Sequence, residues 1–458
     1  MKKLAVIAGF VVLLILAVPL SNFFIGSPVG TALTVRGPAD PLFAKVAAVL
    51  EVKCLNCHSG ETRLPLYASL PVVGGLIKAD IEKGRRALDM MKALLPADGG
   101  PVSEVVLARL EQTAFKDNMP PGRYLALHWD GGMDDDDRAR ILDWVRDVRI
   151  RFYAPAGLPD AVRAQVIQPL PEPARLDARK VSLGKRLFHD TRLSRDDTLS
   201  CASCHALNKG GTDQSRFSTG IDGQIGGINA PTVYNAVFHV RQFWDGRAAD
   251  LAEQAGGPVN NPIEMGSDWP QVVGKLKQDV SLEHEFESIY GQGVGAANIA
   301  DAIAVFEKSL VTPDSPFDRF LKGDEGALDD EQKQGYLLFL EHDCATCHVG
   351  KAMGGQSFEL MGRKADYFKD RGNPTEADQG LFNFTKKPDD MHRFKVPSLR
   401  NIALTFPYLH DGTATDLTQV VGIMSKYQVR PELSKQEIRL VVRFLESLTG
   451  EYQGKPLK

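Results

Sequence analysis

Outside three short motifs, this 458-residue chain contains no cysteine. That absence excludes a framework of structural disulfides, which belongs to short secreted chains rather than to one of this length. Charge of a single sign is also scarce. The net charge is −4 and the sequence pI about 6.2; with no basic block, nucleic acid is not an expected partner. The longest single-sign run, Asp134 to Asp137, stands just before a helical pattern of apolar residues (Ile141, Leu142, Trp144, Val145). Acidic side chains there complement the positive end of a helix dipole, which makes the run a cap rather than a binding patch. No strand-rich segment of any length occurs, so the fold is expected to be mainly α-helical.

The six cysteines that are present form Cys54-Leu55-Asn56-Cys57-His58, Cys201-Ala202-Ser203-Cys204-His205 and Cys344-Ala345-Thr346-Cys347-His348. Cys-x-x-Cys-His is the attachment pattern of c-type haem: two thioethers to the vinyl groups and an adjacent imidazole on the iron. A zinc site would need four ligands per metal and gives no reason for a histidine after every pair. The motifs therefore predict three covalently bound haems c, with His58, His205 and His348 as proximal iron ligands.

Met1-Lys2-Lys3 is followed by an uncharged run from Leu4 to Val35, apolar through Ile25, about the 20 residues that a spanning helix needs. With lysines on the near side, this predicts an anchor over residues 1–25 in a bacterial inner membrane, crossing once, with the haem units in the periplasm. A cleaved signal peptide is the alternative, and the run offers no clear small-x-small cleavage site.

The length of the remainder suits two to four domains, and one haem motif per unit makes three: 36–152, 176–328 and 329–458, tandem cytochrome c-like domains. A proline-rich stretch, 153–175, separates the first from the others as a semi-rigid spacer. The second and third units read as two copies of one plan. Gly184-Lys185-Arg186-Leu187-Phe188 precedes the second motif and Gly335-Tyr336-Leu337-Leu338-Phe339 the third. Closing helices end in Phe306-Glu307-Lys308-Ser309-Leu310 and Phe444-Leu445-Glu446-Ser447-Leu448, with apolar positions three and four apart, as a buried stripe requires.

Each iron has a second axial position, and that position decides function. In the first unit Met119, on the loop Asn118-Met119-Pro120-Pro121-Gly122, is the expected ligand, with Met133 and His128 as competitors; in the third unit it is Met424. The second unit offers only His239 before Met265. An iron without a strong sixth ligand is a reaction site.

From Leu187 to the C-terminus the chain resembles the bacterial di-haem cytochrome c peroxidases. The resemblance rests on Leu187-Phe188-His189-Asp190-Thr191-Arg192-Leu193-Ser194, Asn229-Ala230-Pro231-Thr232-Val233-Tyr234-Asn235-Ala236 and Phe243-Trp244-Asp245-Gly246-Arg247. It continues through Asn261-Pro262-Ile263-Glu264-Met265, Val396-Pro397-Ser398-Leu399-Arg400-Asn401 and Pro407-Tyr408-Leu409-His410-Asp411-Gly412. With its extra N-terminal haem unit the chain is similar to the tri-haem, membrane-anchored quinol peroxidases of that family. The resemblance implies a peroxidatic haem on Cys201, Cys204 and His205 and a high-potential donor haem on Cys344, Cys347 and His348 with Met424. It makes Glu264 and Gln254 the distal pair that handles peroxide protons, and places Trp244 between the two haems. It implies one calcium ion held by Asn229 and the carbonyls of Thr405 and Pro407. Hydrogen peroxide is the implied oxidant and quinol or a small periplasmic cytochrome or cupredoxin the implied donor; a homodimer stays open. Methylamine-utilisation-type oxidases place Tyr where this chain has Met424, and an electron-transfer cytochrome without peroxide chemistry would need a sixth ligand on the second iron. Many members carry a histidine in the Gly-rich loop after the peroxidatic motif. Here Ser218-Thr219-Gly220-Ile221-Asp222-Gly223-Gln224-Ile225-Gly226-Gly227 has none, so the second iron is expected to be open, or water-ligated, without prior reduction.

Overall fold

The computed structural model describes residues 31–458, apart from 62, 63, 65, 70 and 117, together with residues 16, 20 and 22. The expected anchor, 1–25, thus lies outside the described residues except at those three positions. Among the described residues no helix is long and apolar enough to cross a membrane. The single-pass inner-membrane placement, with haem units on its far side, is corrected accordingly. An apolar run meets only the length condition for a span, and no described helix carries it further.

The chain divides into two compact units, Met1–Ala154 with Arg163–Gln165, and Pro155–Val162 with Val166–Lys458. The first is built on the helices Pro41–Lys53, Glu104–Lys116 and Asp135–Phe152. Asp40 caps the helix Pro41–Lys53, its carboxylate accepting from the Leu42 and Phe43 amides at 2.8 and 3.3 Å, and proline suits the first turn. The acidic run caps the helix Asp135–Phe152 through a reciprocal Asp134–Asp137 box. Phe43 meets Trp144 edge-on at 5.7 Å, inside a core that includes Val46, Leu50, Ile141 and Val145. Buried Arg149 forks onto Glu111 at 3.1 and 2.9 Å, which pairs a charge that could not otherwise leave water.

The second unit repeats one helix pair. Helix Ala178–Phe188 packs against Ala296–Lys308, and Asp330–Glu341 against Lys435–Glu446. A Cβ on Gly184 would stand 1.9 Å from the Ala302 carbonyl oxygen, and one on Gly335 2.0 Å from that of Leu440. Phe306 and Phe444 lie directly behind those contacts. The glycines and phenylalanines that recur in the sequence are therefore one packing device used twice. Each opening helix delivers the chain to a haem motif, and each closing helix covers it.

Loops fill the space between, with little sheet: Phe358–Leu360 pairs antiparallel with Arg393–Lys395, and Glu451–Tyr452 with Lys455–Pro456. Arg400 and Asp318 form a wholly buried ion pair at 2.9 Å. Arg400 also donates to the Gln168 carbonyl at 2.9 Å, and Asp318 accepts from the Leu170 amide at 3.0 Å. These bonds build residues 166–170 of the proline-rich stretch into the second unit. Removing one partner would strand a buried charge.

Gly335→Ala is expected to lower stability by about 1–3 kcal/mol through overpacking at the helix crossing. Gly274→Ala, at a helical glycine with open space around it, is expected to raise it by about 0.5–1 kcal/mol. Thermal melts of the two variants check both signs.

Candidate functional site

Each Cys-x-x-Cys-His motif forms a single helical turn: Leu55–His58, Cys201–Cys204, and a tighter turn over Cys344–Thr346. Ser200 and Ser203 cap the second reciprocally. All six cysteines are partly buried. In every motif the histidine ring is held through Nδ1 by a main-chain carbonyl: His58 by Leu88 at 2.9 Å, His205 by Gly211 at 3.4 Å and His348 by Met353 at 3.1 Å. An Nδ1–H donated to a carbonyl fixes the tautomer and leaves the Nε2 lone pair free for a metal. Burial keeps His205 neutral and pulls His348 down to about 4. Two thiols one turn apart beside an oriented imidazole are the donor set of covalently attached haem, so the residues fit the group.

The second motif is followed by the Gly-rich loop, which docks on the turn carrying Glu264. The Ile221 amide donates to the Glu264 carbonyl at 2.8 Å, and Gln224 Nε2 to the Pro262 carbonyl at 3.1 Å. The Glu264 charge reaches the Cys204 thiol and, after burial, helps to raise it. Glu264 and the second haem motif are thereby brought together. Glu264 is half-buried and its Oε1 accepts from Asn261 Nδ2 at 2.7 Å. Burial lifts its carboxyl above the ordinary range, against the opposing pull of the Arg247 guanidinium and the Asn261 amide. Gln254 is half-buried on the helix Leu251–Asn260, which runs straight into the Glu264 turn.

Arg247 itself is fixed by Asp245, with Nη1 3.0 Å from both carboxylate oxygens, and lies 3.5 Å over the Phe243 ring centroid. Nothing in the sequence spacing of Arg247 points to Glu264.

Trp244 donates its Nε1–H to the Asn229 carbonyl at 2.9 Å. The Asn229 amide donates in turn to the His410 carbonyl at 2.8 Å. Asn229 Nδ2 is taken by the Ser215 and Arg216 carbonyls at 3.0 and 3.3 Å, so its Oδ1 faces the other way. Thr405 and Pro407 precede His410 on the segment that accepts from the Asn229 amide. Met424 is half-buried on the helix Leu417–Gln428. In the first unit Met119 is 42 % exposed, and its competitor Met133 belongs to the hydrophobic core. His128 stacks on Tyr124 at 3.9 Å, and Asn56 of the first motif donates to the Tyr124 hydroxyl at 3.2 Å. His239 lies beside Lys395 and beside Gly355 of the loop that follows the third motif.

Two further groups escaped the sequence. Asp378 accepts from Arg371 at 2.8 and 2.5 Å and pairs with His410 Nε2 at 2.7 Å; Arg371 also reaches Asp411 at 2.6 Å. Asp378, His410 and Asp411 offer ligand atoms within 4.8 Å of one another, but the Arg371 guanidinium already occupies and neutralises both carboxylates. Glu307, 4 % exposed, is pushed up to about 8 by burial; burial also raises the Cys201 thiol, and the Glu307 charge adds to that. Its repeat counterpart Glu446 is exposed and paired with Arg443 at 2.5 Å. A carboxylate at an apolar helix position was the available signal.

Comparison with known proteins accords with this geometry. The family model for di-haem cytochrome c peroxidase matches residues 178–326, and a haem-binding domain model matches 37–147. The cytochrome c peroxidase Ccp of Escherichia coli is 48 % identical over 412 residues, 89 % of this chain and 88 % of that protein. A cytochrome c551 peroxidase of Nitrosomonas europaea is 43 % identical over 66 % of this chain and 88 % of its own length. Among solved structures, a MauG-like protein associated with microbial copper homeostasis superposes with a TM-score of 0.56 at 29 % identity, covering 65 % of this chain and 96 % of that one. The chain belongs to the di-haem cytochrome c peroxidase family and is, by that membership, a haem-binding peroxidase.

Proposed function

We propose that this chain reduces hydrogen peroxide to two waters with two electrons and two protons, using three covalently attached haems c. Cys54 and Cys57, Cys201 and Cys204, and Cys344 and Cys347 attach them. Met119 would help to hold the haem of the first motif and Met424 that of the third, and no such residue is assigned at the second. When bound, these groups supply the redox chemistry: electron entry from quinol or a small cytochrome or cupredoxin at the first motif, relay at the third and peroxide reduction at the second.

The chain's own contribution is proton handling and positioning. Heterolysis of peroxide requires one oxygen to lose a proton and the departing one to gain it, so a carboxyl group poised between its two states is needed. Glu264 suits that task because burial lifts its pKa. Its Oε1 is engaged by the Asn261 amide, which assigns the mobile proton to Oε2. Gln254 hydrogen-bonds the peroxide from the adjoining helix. Trp244, anchored through Nε1 to the Asn229 carbonyl, stands on the path between the second and third motifs. Asn229 Oδ1 and the carbonyls of Thr405 and Pro407 would hold a calcium ion with hard oxygen donors, and so stiffen the same segment. The observation that carries the reading is the docking of the second motif's loop on the Glu264 turn, which sets a half-buried carboxyl beside Cys204.

Glu264→Gln is expected to lower peroxide turnover by about 10²–10⁴-fold while leaving the haem spectra intact; unchanged turnover in a steady-state peroxide assay would refute the role. Glu307 generates a separate expectation. Its folded pKa of about 8 lies above the ordinary 4.5, so the folded state favours the protonated form. Its contribution to stability is fully present below the ordinary value and is lost as pH rises through about 8. Thermal midpoints should therefore fall towards alkaline pH, and Glu307→Gln should flatten that fall; an identical slope in the variant contradicts the assignment.

A further inference from the structure

Lys395 and His239 make a pair that the peroxide chemistry does not use. Lys395 is 5 % exposed, on the strand Arg393–Lys395. Its Nζ lies 3.3 Å from His239 Nδ1 and 3.1 Å from the Arg241 carbonyl. An ammonium has only donors, so Nδ1 accepts and the imidazole proton sits on Nε2. That Nε2 is buried and has no partner. A buried N–H is almost always satisfied, and an ammonium leaves water only against a negative charge.

Among the described residues no carboxylate pairs with Lys395. Asp245 acts on Lys395 only through space and is itself engaged by Arg247. The other cation nearby, Lys351, sits over the Phe238 ring. In the absence of an anion, burial pulls Lys395 down to about 7 and His239 well below its ordinary value.

The surroundings name the missing acceptor. The His239 ring lies against Gly355, where an added Cβ would stand 2.2 Å from Cδ2. Gly355 is on the loop that follows His348, whose Nδ1 is held by Met353. Pro397, two residues past Lys395, also turns its carbonyl to the His348 imidazole. On the other side, the Lys395 amide donates to the Trp244 carbonyl at 2.9 Å. The pair is thus set between Trp244 and the third haem motif. A haem brings two propionate carboxylates to such a place.

We propose that Lys395 Nζ and His239 Nε2 form a buried carboxylate socket that holds a propionate of the haem on Cys344, Cys347 and His348. The socket places a positive charge at that haem's edge, favouring its reduced state, and ties the haem to the strand that is bonded to Trp244. The inference rests on the third motif carrying haem c, which a pyridine-haemochrome count of the same preparation checks independently.

The test is a spectroscopically resolved redox titration of the holoprotein, its Lys395→Met and His239→Phe variants, and the donor-retaining His239→Gln. The expected result is a downward shift in the potential of the third-motif haem in Lys395→Met, a smaller one in His239→Phe and near-native behaviour in His239→Gln. The other haems should keep their potentials, and the propionate bending band of the third-motif haem in resonance Raman spectra should move. An unchanged third-motif potential, or a shift of equal size at the second-motif haem, overturns the proposal. Should Lys395→Met fail to take up haem, His239→Phe alone carries the test, because it removes the Nε2–H and leaves the lysine in place.

Discussion

Two helix crossings with no room for a side chain carry most of the second unit. Where Gly184 meets the Ala302 carbonyl and Gly335 the Leu440 carbonyl, the opening and closing helices approach more closely than any residue with a Cβ would allow. The consequence runs outward from the contact. Each opening helix is followed by a Cys-x-x-Cys-His turn, after a twelve-residue connection in the first copy and a two-residue one in the second. Phe306 and Phe444 seal the crossings from behind, and the loops are left free to diverge. In the copy that carries the second motif that freedom yields the Glu264 turn; in the copy that carries the third it yields the helix with Met424.

Burial supplies the chemistry that this scaffold only positions. Glu264, Glu307 and Lys395 are all titratable groups drawn out of water, and each is shifted toward its neutral form. They differ in what opposes the shift. For Glu264 the raising effect of burial is opposed by the Arg247 charge and the Asn261 amide. Glu307 has no such opposition. Arg371 shows the converse case: fully paired with Asp378 and Asp411, it is a locked strut behind His410, Asn229 and Trp244.

Much of this was legible in the chain itself, and the reason is locality. The haem motifs are five residues long, the acidic run from Asp134 caps its own helix, and the glycine–phenylalanine repeat announces a packing device through its recurrence. The Glu264 and Trp244 segments were legible only by resemblance. Arg247, Asp378 and the His239–Lys395 pair were not visible, because their partners are brought by tertiary contact and share no spacing. Lys395 reads as an ordinary strand lysine until its burial is seen. The membrane placement failed for the opposite reason, since one local property, an apolar run, was asked to decide location.

The second motif is proposed to be an open peroxide site fed by the other haems. Rapid mixing of the fully reduced protein with hydrogen peroxide, followed at the haem absorption bands, tests it most directly. Such a site requires prompt reoxidation of the haems with two electrons used per peroxide lost. Haems that stay reduced while peroxide persists would contradict it and leave an electron carrier.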